Sequence, residues 1–157
     1  NNQSAFRGLG RWGSVCRSMA VSKKPSGAQG GGRQIISALQ QHVDARKGAG
    51  PPRFSLDVVE EKALDAMDTL TARDLSAMMN KFGKIGAHPG KEVLEGMERR
   101  GLAIINTYDA KGVALTLHAY AKLKTHPGRA MLEGLEGRAM AKIGDFIPQD
   151  LSNTLWA

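Results

Sequence analysis

Apolar residues recur along the chain at intervals of three and four, the spacing of one face of an α-helix. The first such series is Ile36, Leu39 and Val43, and glycines followed by Pro51 and Pro52 end it. Later series follow the same rule and are separated by Gly or Pro. The pattern predicts seven helices, over about residues 33–47, 54–67, 71–85, 90–105, 109–124, 128–143 and 147–157.

The pattern also repeats at a fixed interval. Two similar segments occur, HPGKEVLEGMER from His88 and HPGRAMLEGLEG from His126. We call the number of residues from His88 to His126 the repeat period. Apolar positions recur at the same spacing, in the sets Leu56/Leu94/Leu132, Val59/Met97/Leu135, Leu75/Val113/Leu151, Met79/Leu117/Leu155 and Phe82/Tyr120. About three units of two helices each are therefore expected.

A single two-helix unit leaves an apolar face that only a neighbouring unit covers. The fold class predicted from this pattern is all-α, an α–α solenoid of two-helix repeats of about 38 residues. Leu56, Leu94 and Leu132 are expected at equivalent interior sites. Gly96 and Gly134 stand at matching helix positions, where we expect close packing against a neighbour.

Positive charge is concentrated before the helical part of the chain. Residues 1–52 hold eight Lys or Arg and one acid, whereas residues 53–157 hold fourteen of each sign. Residues 1–32 are rich in Gly and Ser and have no acid at all. This composition predicts a disordered basic segment, either an organelle transit peptide or a linker, ahead of a helical repeat domain at residues 33–157.

No catalytic, metal or membrane pattern is found in the sequence. The motifs G-x-S-x-G and H-E-x-x-H do not occur, and acids and bases are spread by the repeat rather than clustered. The histidines have no Cys partners at zinc-ligand spacing. No stretch approaches roughly 18 apolar residues. The expectation is a protein that is not an enzyme, has no cofactor or metal and does not cross a membrane.

The segment PQDLSNTLWA at residues 148–157 resembles the second helix of the octotricopeptide repeat, a family of organellar RNA-binding proteins related to the FAST kinase-like proteins. Earlier copies, RDLSAMMNKFGKI and AKGVALTLHAYAKL, keep the apolar positions, but Trp156 is matched by Asn80 and His118. The resemblance covers roughly residues 54–157. It implies a right-handed superhelix that binds single-stranded RNA in a mitochondrion or chloroplast, in RNA processing, stabilisation or translation.

Basic residues recur in columns that a phosphodiester backbone could follow. One column, Lys62, Arg100 and Arg138, lies on successive first helices, and Lys84 and Lys122 lie near the ends of second helices. The predicted RNA-binding residues are Lys62, Arg99, Arg100, Arg138, Lys142, Lys84 and Lys122.

Two alternatives stay open at this point. Acids precede bases within each first helix, as the helix dipole favours, so these columns also fit a solvated face without RNA. The neutral charge of residues 53–157 also suits a protein-docking α-solenoid scaffold. Trp156 is predicted either to stack on a base or to pack against its neighbours.

Overall fold

The computed structural model describes residues 30–157, which form seven α-helices and contain no β-strand. This confirms the predicted all-α class. The helices are α1 (Gly31–Ala45), α2 (Leu56–Ala66), α3 (Ala72–Ile85), α4 (Lys91–Ala103), α5 (Ala110–Leu123), α6 (Arg129–Ala141) and α7 (Pro148–Trp156).

Helix α1 begins at Gly31, slightly ahead of the boundary that the sequence predicts after residue 32. The remainder of the predicted basic segment, including the choice between transit peptide and linker, lies outside the described residues. Helices α2, α4 and α6 end earlier than expected, because the chain tightens into short 3-10 turns at Met67–Thr69, Ile105–Thr107 and Ile143–Asp145.

Local side chains fix where several helices start. The Ser55 hydroxyl accepts from Val58 N at the start of α2, and Asp109 accepts from Gly112 N at the start of α5. Thr71 and Asp74 form a reciprocal capping box on α3. At the other end of α3, Gly86 adopts a left-handed conformation with φ of 69°, which a residue without Cβ adopts without strain.

The helices contact one another in two rows. Helix α3 packs between α1 and α5, and α7 packs on α5; these four helices are called the α3–α5 row. Helix α4 contacts both α2 and α6, and these three helices are called the α4 row. The main core cluster contains residues from helices of both rows, among them Val59, Met97, Leu75, Met78 and Phe82.

Sequence positions one repeat period apart have matching burial at some sites and not at others. Val59, Met97 and Leu135 are all buried. In the set of leucines expected at interior sites, Leu56 and Leu94 are half-buried, but Leu132 is 38% exposed. The prediction is wrong for Leu132, because α6 is the last helix of its row in the described part and nothing there covers that side.

Two polar contacts join successive helices of the α4 row, and together they are called an inter-helix tie. The Glu60 carboxylate accepts from Gly90 N at 3.1 Å, at the start of α4. Arg100 Nε of α4 donates back to the Leu70 carbonyl at 3.0 Å. A carboxylate thus caps the next helix, and an arginine of that helix satisfies a carbonyl in the turn behind it.

A second inter-helix tie is found one repeat period further along the chain. Gly128 N, at the start of α6, donates to the Glu98 carboxylate at 3.2 Å. Arg138 Nε donates to the Tyr108 carbonyl at 2.7 Å. Glu98 also accepts from the Tyr120 hydroxyl at 2.9 Å, so its carboxylate connects α4, α5 and α6.

Gly96 and Gly134 make the close approaches that were expected of them. A Cβ at Gly96 would lie 3.2 Å from Met67 Cε, and one at Gly134 would lie 3.3 Å from Leu102 Cδ2 and 3.4 Å from Ile105 Cγ1. Met67 and Ile105 are the first residues of two 3-10 turns. Each glycine therefore leaves room for a side chain of the turn before its helix.

Candidate nucleic-acid interface

Lys84 and Lys122 lie on adjacent helices of the α3–α5 row, and both charges lower the pKa of His118. Both side chains are exposed, near the C-terminal ends of α3 and α5. The two helices approach closely at this point, because a Cβ at Gly83 would lie 3.5 Å from Lys122 Cβ. The two lysines thus form a pair of positive charges at the boundary between two helices, near the carbonyl ends that favour cations.

A groove of about 560 Å³ runs along the same row, lined by residues from α1, α3 and α5. Its basic residues are Arg73, Lys81 and Lys111, and its polar residues include Asn80. The one acid among its lining residues, Asp109, accepts from Gly112 N at 2.7 Å and so is held at the start of α5. The charge of the groove is predominantly positive.

Lys81 connects this groove to the lysine pair. Its ammonium group donates to the Gln40 side-chain carbonyl of α1. Burial lowers the pKa of Lys81 most, and the neighbouring charge of Lys84 lowers it further, while Asp44 opposes the shift. Positive charges here repel each other, so an anion placed among them would be stabilised.

An aromatic pair lies beside the lysines. The rings of His118 in α5 and Trp156 in α7 have centroids 4.7 Å apart and are tilted by 53°. His118 Nδ1 is buried without a hydrogen-bond partner in residues 30–157. Burial lowers the pKa of His118, Lys122 and Lys84 lower it further, and the backbone of Asn153 acts in the opposite direction. The neutral imidazole is therefore the favoured form.

Trp156 is 60% exposed although one side of its ring meets His118. The indole thus contacts a neighbouring ring and remains largely exposed. A base that stacks on its exposed part would lie near His118.

The predicted residues Arg100 and Arg138 occupy equivalent sites, but those sites are the inter-helix ties. Both side chains are half-buried, and each gives its Nε–H to a backbone carbonyl. An arginine in this position stabilises the packing of helices whether or not RNA is present. Replacing it would change the fold as well as any nucleic-acid contact.

The other predicted residues of the α4 row are dispersed. Arg99 lies 3.6 Å from Asp68 in an exposed ion pair, and Lys142 donates to Asp145 at 2.9 Å. This hydrogen bond lowers the pKa of Asp145. Lys62 lines a separate cavity of about 470 Å³ between α1 and α2. Of the predicted set, the structure places Lys84 and Lys122 on adjacent helices of the α3–α5 row, whereas Arg138 and Lys142 lie near Asp145 in the α4 row.

The two rows differ in their balance of charge. Helix α5 has Lys111 and Lys122 and no acidic residue. Helix α3 has three basic residues against Asp74, whose carboxylate is engaged by Thr71. In the α4 row, acids outnumber bases in α2 and equal them in α4 and α6. A polyanion is therefore favoured on the α3–α5 row.

Sequence reasoning missed Arg73, Lys81 and Lys111. Arg73 and Lys111 are one repeat period apart, so the same column search would have found them. Lys81 has no basic counterpart, since Ala119 stands at the matching position. Its ammonium group is held by Gln40 of α1, a contact between distant parts of the chain that spacing does not report.

Comparison with protein-family models finds no match, and comparison with curated proteins finds no significant match. Within residues 30–157, none of the helices has the length and apolar character that crossing a bilayer requires.

Proposed function

We propose that this protein is an α–α solenoid of two-helix repeats that binds single-stranded RNA along the α3–α5 row. The observation that carries the proposal is the excess of basic over acidic residues on one row of helices, since the α4 row balances or outweighs its bases with acids. Arg73, Lys81, Lys84, Lys111 and Lys122 all belong to this row. The resemblance to octotricopeptide repeats supports RNA as the polyanion, with a right-handed superhelix as the expected form.

Binding in this proposal rests mainly on phosphate contacts. Lysine and arginine on neighbouring helices follow the RNA backbone, and binding releases counterions condensed on the RNA. The groove between α3 and α5 accommodates the strand, and Asn80 offers an amide that hydrogen-bonds to a base edge. Trp156 supplies a stacking surface at the end of the same row.

The test is a titration of the full chain with a fluorescently labelled single-stranded RNA of about 20 nucleotides at low salt. Replacing Lys84 and Lys122 together by Glu is expected to weaken binding at least about tenfold, because two attractive contacts become repulsive. Fluorescence anisotropy measures the affinity.

The matched control is Lys91→Glu with Arg129→Glu. These residues are exposed at the starts of α4 and α6, at matching positions of the repeat, and the double change alters the net charge by the same amount. The control is expected to bind RNA nearly as well as the unaltered chain. Equal weakening of both variants would contradict the assignment to the α3–α5 row.

The cellular role proposed from the resemblance is RNA processing, stabilisation or translation in a mitochondrion or chloroplast. Localisation of a fluorescent fusion of the complete gene product tests the compartment. Crosslinking of the protein to RNA in cells, followed by sequencing, tests the role. Recovery of no RNA above the level of the Lys84→Glu, Lys122→Glu variant would contradict it.

A second candidate function, a protein-docking scaffold, is favoured by one specific observation. Helices α6 and α7 and the turn between them present exposed apolar side chains, among them Met140, Ile143 and Leu155. Apolar side chains grouped in this way are typical of protein-binding surfaces. A scaffold would use this surface, whereas RNA binding uses the α3–α5 row, so the two functions are compatible in one chain.

A further inference from the structure

The connection between α1 and α2 is the longest between successive helices in the described part of the chain. Two hydrogen bonds hold its end against α1. Arg53 N donates to the Gln41 side-chain oxygen at 3.0 Å, and His42 Nε2 donates to the Phe54 carbonyl at 2.8 Å. Arg53 and Phe54 are therefore held beside α1 by backbone groups, and their side chains take no part in these bonds.

The side chains of this connection line a cavity of about 470 Å³, which is called the α1–α2 cavity. Its apolar lining is buried and consists of Ile35 and Ala38 from α1 and Val59 from α2. Its polar lining includes Gln34 and Ser37 of α1. Small-molecule sites typically measure about 300–1,000 Å³ and combine apolar walls with a few polar groups. The α1–α2 cavity has both properties.

The charged residues that line the α1–α2 cavity are all basic. They are Arg33 of α1, Arg53 of the connection and Lys62 of α2, and each is exposed. None of them forms an ion pair with another residue of the described range 30–157. Residues 1–32 contain no acid, so they have no acidic side chain to offer either. A ligand with more than one negative charge would therefore be stabilised here.

Phe54 adds an aromatic surface beside these charges. Phe54 is 40% exposed, and the Arg53 guanidinium carbon lies 5.5 Å from the centroid of its ring. Aromatic side chains of this kind stack on nucleobases, and arginine binds phosphate oxygens with two parallel hydrogen bonds. The pair thus suits a ligand that carries a planar ring and a phosphate close together.

We propose that the α1–α2 cavity binds a nucleoside monophosphate, either as a free nucleotide or as the phosphorylated end of an RNA. The phosphate contacts the three basic side chains, the base stacks on Phe54 above the apolar lining, and Gln34 and Ser37 offer hydrogen bonds to the sugar. The cavity shares no lining residue with the groove of the α3–α5 row. The inference therefore does not depend on RNA binding along that row.

The test is isothermal titration calorimetry of the full chain with adenosine monophosphate (AMP). Saturable binding is expected. Adenosine, which lacks the phosphate, is expected to bind at least about tenfold more weakly, because charge-assisted hydrogen bonds are lost. Inorganic phosphate is expected to bind at least about fivefold more weakly than AMP, because it cannot stack. No binding of AMP, or equal affinity for AMP and either of the other two compounds, would overturn the proposal.

Substitutions locate the site. Arg53→Glu is expected to weaken AMP binding at least about tenfold, and Phe54→Leu, which keeps an apolar side chain without a ring, at least about fivefold. The matched control is Lys91→Glu, which makes the same change of charge at an exposed residue one repeat period after Arg53. It is expected to leave AMP binding unchanged.

Circular dichroism separates a lost site from a lost fold. Lys62→Glu repeats the test if Arg53→Glu reduces the helical signal, and AMP binding that ignores both folded variants would assign the nucleotide elsewhere and overturn the proposal. Because the AMP titration contains no RNA, its outcome is independent of the titrations that test the α3–α5 row.

The two sources of the nucleotide are distinguished with one RNA sequence prepared with and without a terminal phosphate. Tighter binding of the phosphorylated form, removed by excess AMP and by Arg53→Glu, would assign the cavity to an RNA end. Equal binding of the two forms, together with AMP binding that Arg53→Glu weakens, would assign it to a free nucleotide. Fluorescence anisotropy measures both affinities.

Discussion

At the scale of single residues, the glycines of α4 and α6 differ in what surrounds them. Gly96 faces Met67, so a methyl group there would displace the end of that side chain. Gly137 has no atom within 4 Å of its Cβ position among the described residues. Both lie inside helices, where glycine costs about 1 kcal/mol relative to alanine.

This difference predicts opposite outcomes for two alanine substitutions. Gly137→Ala is expected to raise the free energy of unfolding by about 0.5–1 kcal/mol, because it gains helix propensity without a clash. Gly96→Ala is expected to raise the free energy of unfolding little or not at all, since displacement of Met67 offsets the same gain in helix propensity. Urea denaturation followed by circular dichroism measures both, and equal stabilisation would show that Gly96 is not constrained by packing.

His118 provides a prediction of pH dependence. Its pKa is lowered below 6.5 in the folded chain, so the unfolded chain takes up the proton first as the pH falls. His118 therefore contributes stability that is fully present above pH 6.5 and is lost as the pH falls below that value. His118→Gln is expected to reduce the difference in stability between about pH 7.5 and pH 5.5.

The matched control is His126→Gln, which alters an exposed histidine in the loop before α6. Because this change keeps His118 in place, the loss of stability on acidification that His118 causes is expected to persist. The stability at each pH comes from urea titration. If the His118 and His126 variants lose stability on acidification as steeply as the unaltered chain, the buried imidazole has no part in the effect.

At the scale of elements, the ties show why a pattern of charges is ambiguous in a sequence. Arg100 and Arg138 recur with the repeat because each satisfies a carbonyl in the preceding turn. A column of phosphate-binding arginines would have the same spacing. The helices and the apolar columns could be predicted because periodicity depends on local geometry, whereas the acceptor of an arginine depends on which turn lies beside it.

Glu98 is the most connected residue of the ties. Its carboxylate accepts from Gly128 N and from the Tyr120 hydroxyl, whose pKa is raised first by burial and then by Glu98 itself. Glu98→Ala is expected to lower the free energy of unfolding by about 1–3 kcal/mol, because two donors lose their acceptor.

Glu95→Ala is the comparison for Glu98→Ala. Glu95 is on the same helix and makes one exposed ion pair with Lys91 at 3.7 Å. Its replacement is expected to change stability by at most about 0.5 kcal/mol. Thermal and urea unfolding of the two variants side by side measure the contrast, and similar losses would mean that the tie adds no stability.

At the scale of the whole molecule, the difference in charge between the rows predicts the salt dependence of RNA binding. Each phosphate contact to single-stranded nucleic acid contributes about 0.7 to the slope of log affinity against log salt. Lys84→Gln with Lys122→Gln is expected to reduce that slope by about 1.4, since two contacts are removed.

The affinity is measured at several salt concentrations for the unaltered chain and the variant. Lys91→Gln with Arg129→Gln removes the same charge from the α4 row and is expected to leave the slope nearly unchanged. A slope that both double variants lower equally would indicate that RNA responds to net charge rather than to one row.

The candidate interface could be predicted only in part. Lys84 and Lys122 were identified by their spacing, but spacing alone does not distinguish them from Arg100 and Arg138, whose Nε groups donate to backbone carbonyls. That distinction requires knowledge of which helices pack side by side. The groove beside Lys81 depends on three helices, and no pairwise spacing in the sequence reports such a site.

The inter-helix ties have a consequence for synthesis of the chain. Each tie joins residues 30 positions apart, Glu60 to Gly90, Leu70 to Arg100, Glu98 to Gly128 and Tyr108 to Arg138. All residues of the first tie are synthesised before Gly128 and Arg138 of the second, so we expect the first tie to be able to form on a nascent polypeptide while the second is still incomplete.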